Sequence, residues 1–250
     1  MNYLTFLGTG TSVGIPQIAC TCPVCTSDNP KDKRLRTSIL IETGRTKLLI
    51  DCGPDFRQQF IVNHLSKPIS NILLTHEHYD HVGGLDDVRP LGDVNVFAEK
   101  QVLDAIRRNL HYCFGQNKYA GVPNIHLHRI TEEDFYINDI KIEPVRAMHA
   151  QLPVLGFKIN DFAYLTDVKT ISEKSIRKIK GVQTFVLNAL RKKEHISHLN
   201  LSEALNIAKN VQAKQTYFIH LSHDMGLHDE IEKELPKNIH IAYDGLKISI

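Results

Sequence analysis

Asn71-Ile72-Leu73-Leu74-Thr75-His76-Glu77-His78-Tyr79-Asp80-His81 is the stretch whose reading decides the fold. Its first four residues form a short apolar run, long enough for a buried strand and too short for a helix. Four metal-ligand types then follow within six residues: His76, His78, Asp80 and His81. Val82-Gly83-Gly84-Leu85 comes next and carries the glycines that a sharp turn needs. The spacing predicts a ligand-bearing loop at the end of a core strand, a rigid place to hold a metal ion. Imidazole and carboxylate together suit zinc, manganese or iron. The competing reading is a polar surface loop with chance histidines, and the density of ligand types argues against it.

Working outward, Tyr3–Leu7 reads as a strand leading into the Gly-rich loop Gly8-Thr9-Gly10-Thr11-Ser12-Val13-Gly14. That loop lacks the Gly-Lys-Ser/Thr ending of a phosphate loop and no helix follows it, so a tight turn that brings backbone close to a site is the better reading. Ser38–Glu42 and Lys47–Ile50 form a hairpin, and Asp51 ends its second strand. A helix is expected over Asp55–Leu65, with Pro54 suited to its start. Another spans Glu99–Leu110, with Val102, Ala105, Ile106 and Leu110 on one face. Short strands are expected at Val94–Phe97, Ile125–Ile130, Ile140–Val145, Val154–Ile159, Phe162–Leu165, Thr184–Leu187 and Gln215–Ile219. Ser172 caps a helix that stops at Gly181. An Asn200–Glu203 capping box opens a helix over Leu201–Val211. A last helix near Asp229–Leu235 leads to two closing strands. Runs of strands with helices between some of them imply two packed sheets with helices outside, over a single domain spanning residues 1–250.

The 250-residue chain is 42% hydrophobic and 23% charged, ordinary for a globular protein. A formal net charge of +2 gives no long-range case for a nucleic-acid partner. No stretch approaches the roughly 20 apolar residues of a membrane span. The N-terminal apolar run meets Gly8 too soon for a signal peptide. These features lead to the expectation of a cytoplasmic protein with no membrane partner. Its five cysteines are then expected to be reduced, as metal ligands or core thiols.

His149, Asp167 and His220 share a position with the opening stretch, because each closes a strand or follows one. They lie 68, 18 and 53 residues apart, counted on from His81. Such spacings are natural for strand ends converging on one sheet edge. A strand ending in Asp51, then His76-x-His78-x-Asp80-His81, then His149, Asp167 and His220 resembles the metallo-β-lactamase-fold hydrolases over nearly the whole chain. The resemblance implies an α+β fold, a four-layer αββα sandwich, with two divalent metals (Zn2+ or Mn2+) at one edge of the sheets. It implies His76, His78 and His149 on one metal, Asp80, His81 and His220 on the other, and Asp167 bridging them. Asp51 would hold the His-rich loop by hydrogen bonds. Two cations a few ångströms apart can activate water and stabilise charge on the attacked group.

Cys20-x-Cys22-x-x-Cys25 offers three thiols, and a structural zinc site needs four ligands. His223, three residues after His220, is the best fourth. Cys52 and Cys113 read as buried small hydrophobes. The thiol loop and His220-Leu221-Ser222-His223 look similar to one branch of that superfamily, the phosphodiesterase of the carbon–phosphorus lyase pathway. That resemblance implies one structural Zn2+ on Cys20, Cys22, Cys25 and His223. The branch acts on phosphoribosyl cyclic phosphate, and it has an element similar to Ser197-His198-Leu199-Asn200. A departing alkoxide needs a proton, and His198, ahead of the Leu201 helix, is the candidate acid, with His195 its rival. Arg191, Lys192 and Lys193 are candidates to hold a substrate phosphate, Arg191 first; a solvated basic run is the plain alternative.

The expected function is hydrolysis of a small-molecule phosphodiester, cyclic or nucleotide-like. The alternatives are a tRNA 3′-processing-type endoribonuclease, for which no long Gly/Pro-rich arm is present, and a thioester or other ester hydrolase. Diiron reductases of this fold carry Glu where this chain has His78. A scaffold would be expected to have lost ligands. The reading leaves a homodimer open.

Overall fold

The computed structural model describes residues 2–65, 69–115 and 119–250. Fifteen strands and six α-helices are found among these residues. In chain order they are β1 (Tyr3–Gly8), β2 (Ser38–Glu42), β3 (Lys47–Ile50), α1 (Phe56–Val62), β4 (Asn71–Leu73), α2 (Tyr79–Val82), β5 (Asp93–Ala98) and α3 (Lys100–Asn109). Then come β6 (Asn124–Arg129), β7 (Phe135–Ile137), β8 (Ile140–His149), β9 (Leu152–Ile159), β10 (Phe162–Leu165), β11 (Thr170–Ile171), α4 (Glu173–Ile179) and β12 (Thr184–Asn188). The chain ends with α5 (Leu201–Val211), β13 (Gln215–Ile219), α6 (His228–Glu234), β14 (Ile239–Ile241) and β15 (Lys247–Ser249).

The first sheet runs β15-β1-β2-β3-β4-β5-β6, and the second runs β11-β8-β9-β10-β12-β13-β14, with β7 paired to β8. The inner strands β2, β3, β10 and β12 are buried on both faces, which is why they read as continuous apolar runs. Leu48 and Ile50 of β3 face the space between the sheets, together with Phe157 of β9, Tyr164 of β10 and Val186 of β12. Leu49 points the other way, against Phe56 of α1 and Val102 and Ile106 of α3. On the far side, Phe185 and Leu187 of β12 meet Ile179 of α4, Ala204 and Ala208 of α5, and Ile231 of α6. This is a four-layer αββα sandwich, as expected. Period-2 alternation along each strand assigns neighbouring side chains to different layers.

Three details depart from the sequence reading. The ligand-bearing stretch is not all loop: Tyr79–Val82 forms the short helix α2, so Asp80 and His81 sit on a helical turn. Gly83 and Gly84 have ordinary negative φ, so they do not serve a left-handed turn. A Cβ on Gly84 would lie 2.1 Å from the Gly53 carbonyl oxygen, and one on Gly53 would lie 2.0 Å from that of Asp80. The glycines are needed because two backbones touch there. Finally, β8 extends to His149 itself, because Arg146–His149 continues the antiparallel pairing with Leu152–Leu155. A tight hairpin with Ala150 at φ +51° then turns the chain, so His149 ends the strand itself instead of following an end at Val145.

A buried polar chain ties the loop after β1 to the C-terminal strands. The Arg34 guanidinium donates to the Thr9 hydroxyl (2.7 Å) and to the Ala242 carbonyl (2.5 Å). Thr9 Oγ1 donates to Asp244 Oδ1 at 2.7 Å, and the Leu35 N–H donates to Oδ2 at 2.6 Å. Burial pushes the Asp244 carboxyl up to about 7 against these donors. A raised carboxyl pKa means that the folded state holds the proton more tightly, so its contribution to stability is full below the unfolded value and is lost as pH rises through about 7. Unfolding free energy, measured by urea titration, should therefore fall between about pH 4 and 7. Asp244→Asn should flatten that slope; an unchanged slope would remove Asp244 as its source.

Candidate metal centre

The site is assembled at the carboxyl ends of strands. β3 ends at Asp51, β4 leads through Leu74 and Thr75 into His76, β8 ends at His149, β10 leads to Asp167, and β13 ends at His220. Asp51, Asp167 and His220 all take positive φ, at +63°, +55° and +56°. Non-glycine residues reach that region at a cost of roughly 1–3 kcal/mol each, and such strain collects at functional sites. The surrounding sheet edge holds them there and turns their side chains toward a common centre.

Asp167 is the hub. One ligand-type atom from each of Asp80, His81, Asp167 and His220 lies within 4.8 Å of the others, and so does one from each of His76, His78 and Asp167. His149, Asp167 and His198 form a third such group. Asp167 Oδ1 is 3.1 Å from His220 Nδ1 and 3.4 Å from His81 Nε2, while Oδ2 is 3.7 Å from His76 Nε2. The His149 ring centroid is 5.1 Å from that of His78 and 5.9 Å from that of His76. All seven candidate ligands thus gather in one place. Six of them are buried, and His78 is exposed at the mouth.

Outer partners set the imidazole orientations. Thr75 Oγ1 donates to the Asp51 carboxylate (3.0 Å), and His76 Nδ1 lies 2.9 Å from that hydroxyl. With its proton committed to Asp51, the hydroxyl accepts from Nδ1–H. His81 Nδ1 binds Asp51 Oδ2 at 2.8 Å, and His149 Nδ1 donates to the Ser197 carbonyl at 2.8 Å. In each case Nε2 is left for the centre. Asp51 also accepts the Thr75 backbone N–H at 2.9 Å, so one carboxylate orients two of the imidazoles. Thr75 and Ser197 were missed by the sequence reading. A threonine one residue before the motif and a loop carbonyl carry no signal of their own.

The donor set fits divalent metal. The Nε2 atoms of His76 and His81 are buried and have no hydrogen-bond partner among the described residues. Unpartnered buried nitrogens are costly unless something is bound there. Burial pushes His81 down, but the carboxylates of Asp167, Asp51 and Asp80 overcome it and raise the imidazole well above its ordinary value. Burial likewise pushes Asp167 up, and His220 and His81 more than reverse it. The pocket is an array of opposite charges held at close range, the electrostatic condition of a cation site. Imidazole with carboxylate oxygen suits zinc, manganese or iron.

A second ligand group joins the segment between β1 and β2 to the segment after β13. His223 Nδ1 is 3.2, 3.5 and 3.4 Å from the sulfurs of Cys20, Cys22 and Cys25. The three cysteines pack with Ile15, Val24 and Leu227. The Cys25 backbone N–H points at the Cys22 sulfur (3.4 Å) and is the largest reason that this thiol falls to about 7. Burial pushes the Cys25 thiol up to about 11. One easily ionised thiol beside three further donors fits a four-coordinate zinc site. Cys22→Ser should lower zinc content by about one equivalent per chain, measured by elemental analysis. Unchanged content would remove this site.

His198 is 9% exposed, and its ring centroid is 4.5 Å from that of His149 and 5.0 Å from that of His220. Its Nδ1 is buried without a partner among the described residues. Burial, then the His220 charge, lowers it to about 3. His195 lies further out, with its ring 5.2 Å from that of His198. Arg191 donates to the Glu194 carbonyl at 2.9 Å and lies 3.6 Å from Asp224, so its guanidinium braces its own loop. Lys192 pairs with Glu234 at the surface. Among the described residues no helix is long and apolar enough to cross a membrane.

Comparison with known proteins gives this geometry a context. The family model described as a beta-lactamase superfamily domain matches residues 46–221. A protein of Porphyromonas gingivalis named octanoyltransferase is 44% identical over 250 residues, covering 98% of this chain and 51% of that protein. The chain thus spans about half the length of that curated relative. A solved structure described as a new diphosphatase from the PhnP family has a TM-score of 0.93 at 37% identity, over 99% of this chain and 96% of that one. Zn(2+)-bound PqqB from Methylobacterium extorquens has a TM-score of 0.83 at 18% identity, over 99% of this chain and 100% of that one, a likeness in fold alone.

Proposed function

The chain belongs to the beta-lactamase superfamily, which makes this stretch a metal-dependent hydrolase domain, and on that premise we propose a phosphodiesterase acting on a small cyclic or nucleotide-like phosphodiester, of the phosphoribosyl 1,2-cyclic phosphate kind. His76, His78 and His149 would hold one divalent metal, Asp80, His81 and His220 a second, and Asp167 would lie between them. When bound, the metals would activate water and neutralise charge on the phosphoryl oxygens. Zinc and manganese are the candidates, with a further zinc on Cys20, Cys22, Cys25 and His223.

The observation that carries this reading is His198. It is a spare imidazole beside the ligand cluster, with a buried nitrogen that has no partner among the described residues. As the bond from water oxygen to phosphorus forms and the ester P–O bond breaks, the leaving oxygen needs a proton, and His198 would give it. In the free protein burial holds this imidazole neutral. An anionic phosphate beside it favours the protonated form, because an opposite charge nearby stabilises the charged state. The 37%-identical diphosphatase supports chemistry at phosphorus for this chain as well.

The relative named octanoyltransferase favours a second reading, acyl-group chemistry such as thioester hydrolysis. A substrate panel separates the two. It contains bis(p-nitrophenyl) phosphate, five-membered cyclic phosphates, 2′,3′-cyclic nucleotides, octanoyl thioesters and β-lactams, each with zinc- and manganese-loaded protein. Turnover of phosphodiesters with thioesters inert supports the proposal. No phosphodiester turnover with either metal overturns it.

A further inference from the structure

The loop from Arg191 to His198 leaves the sheet and returns on itself. Its base is closed by the Leu190 N–H on the Leu199 carbonyl (2.9 Å) and the Leu201 N–H on the Arg191 carbonyl (2.9 Å). Within it, Ser197 does two things. Its carbonyl accepts from His149 Nδ1, as described above. Its backbone N–H donates to His195 Nδ1 at 3.3 Å, and its hydroxyl lies 3.2 Å from the same nitrogen.

A backbone N–H can only donate, so His195 Nδ1 must accept. The ring proton is therefore on Nε2. That Nε2–H has no partner among the described residues, and the ring is half-buried beside His198. One residue thus orients both a candidate metal ligand and an N–H donor beside His198.

We propose that His195 is a substrate-binding residue whose Nε2–H donates to a phosphoryl oxygen of the bound phosphodiester. This rests on the phosphodiesterase reading and adds to it a contact distinct from the proton donor. The donor is neutral, so it supplies a directed hydrogen bond to charged oxygen and leaves the proton for the leaving group to His198. A hydrogen bond to a charged group is strong enough for its loss to be seen in binding. Because the contact exists in ground and transition states alike, it should act on KM and little on kcat.

The test is the affinity of metal-loaded protein for inorganic phosphate, measured by calorimetric titration, alongside KM and kcat for a cyclic phosphodiester. His195→Ala should weaken phosphate binding and raise KM by about 10- to 100-fold. Metal content should stay at the wild-type level. His195→Gln, whose side-chain N–H reaches a similar place, should recover most of the loss. Unchanged phosphate affinity in His195→Ala overturns the proposal, as does a glutamine variant no better than alanine. A fall in metal content also overturns it, because His195 would then act through the ligands. Wild-type turnover of phosphodiesters tests the parent reading separately. If the wild type hydrolyses them while His195→Ala binds phosphate normally, only the role of His195 is lost.

Discussion

Asp167→Asn is expected to strip divalent metal from the centre and to slow phosphodiester turnover by more than about 10³-fold. Loss of an outer partner of a metal ligand already costs roughly 10- to 100-fold in affinity. Asp167 is further in: its two oxygens lie 3.1–3.7 Å from His220, His81 and His76, and its ligand atom belongs to all three of the His/Asp groups at the sheet edge. Asparagine keeps the shape but offers one neutral oxygen in place of a charge. Two cations would then face each other with less between them. The same change leaves buried imidazoles without their carboxylate, so a lower melting temperature of the metal-free protein is expected as well. Elemental analysis and initial rates check the first claim, and thermal unfolding checks the second. A variant that keeps its metal and turns over within tenfold of the wild type would show that Asp167 is not the hub of the site.

His198→Ala should lose about 10²–10⁴ in rate on substrates with alkoxide leaving groups, the usual contribution of a positioned acid. On p-nitrophenyl esters the loss should be far smaller, because nitrophenolate departs without a proton. The comparison isolates proton donation from simple disturbance of the site. His198 packs beside His149 and His220, so a structural effect through those neighbours would depress both substrate classes together. Equal losses would therefore reject the acid role. Metal content in the same variant should be unchanged, since His149 keeps its bond to the Ser197 carbonyl.

The two variants probe parts of the site that differ in how far sequence could reveal them. The strands were legible because Ile39–Ile41, Leu48–Ile50 and Thr184–Leu187 are apolar runs of strand length, buried on both faces of a sandwich. The helix α5 was legible down to its cap, since Asn200 and Glu203 satisfy each other's backbone N–H groups as the spacing implies. The helical turn α2 was not legible. Its four residues, Tyr79–Val82, carry no apolar period, and the packing of Gly53 and Gly84 against each other bends the chain there. Strands β7 and β11 are two or three residues long and exist as partners of β8.

From the sequence alone it follows which side chains are chemically able to bind metal, that three thiols crowd one loop, and that apolar runs of strand length must build two sheets. Residue types and short-range periodicity carry that information, and both are local. The tertiary structure alone decides that Asp51 serves His81 directly and His76 through Thr75, that positive φ at Asp51, Asp167 and His220 aims three strand ends at one point, and that the carbonyl and the N–H of Ser197 hold His149 and His195. The reason is physical. Every residue has a carbonyl and nearly every one an N–H, so a backbone partner has no signature in the sequence. A strained backbone angle is likewise imposed by the packed sheet edge around it, which exists only once distant strands have met.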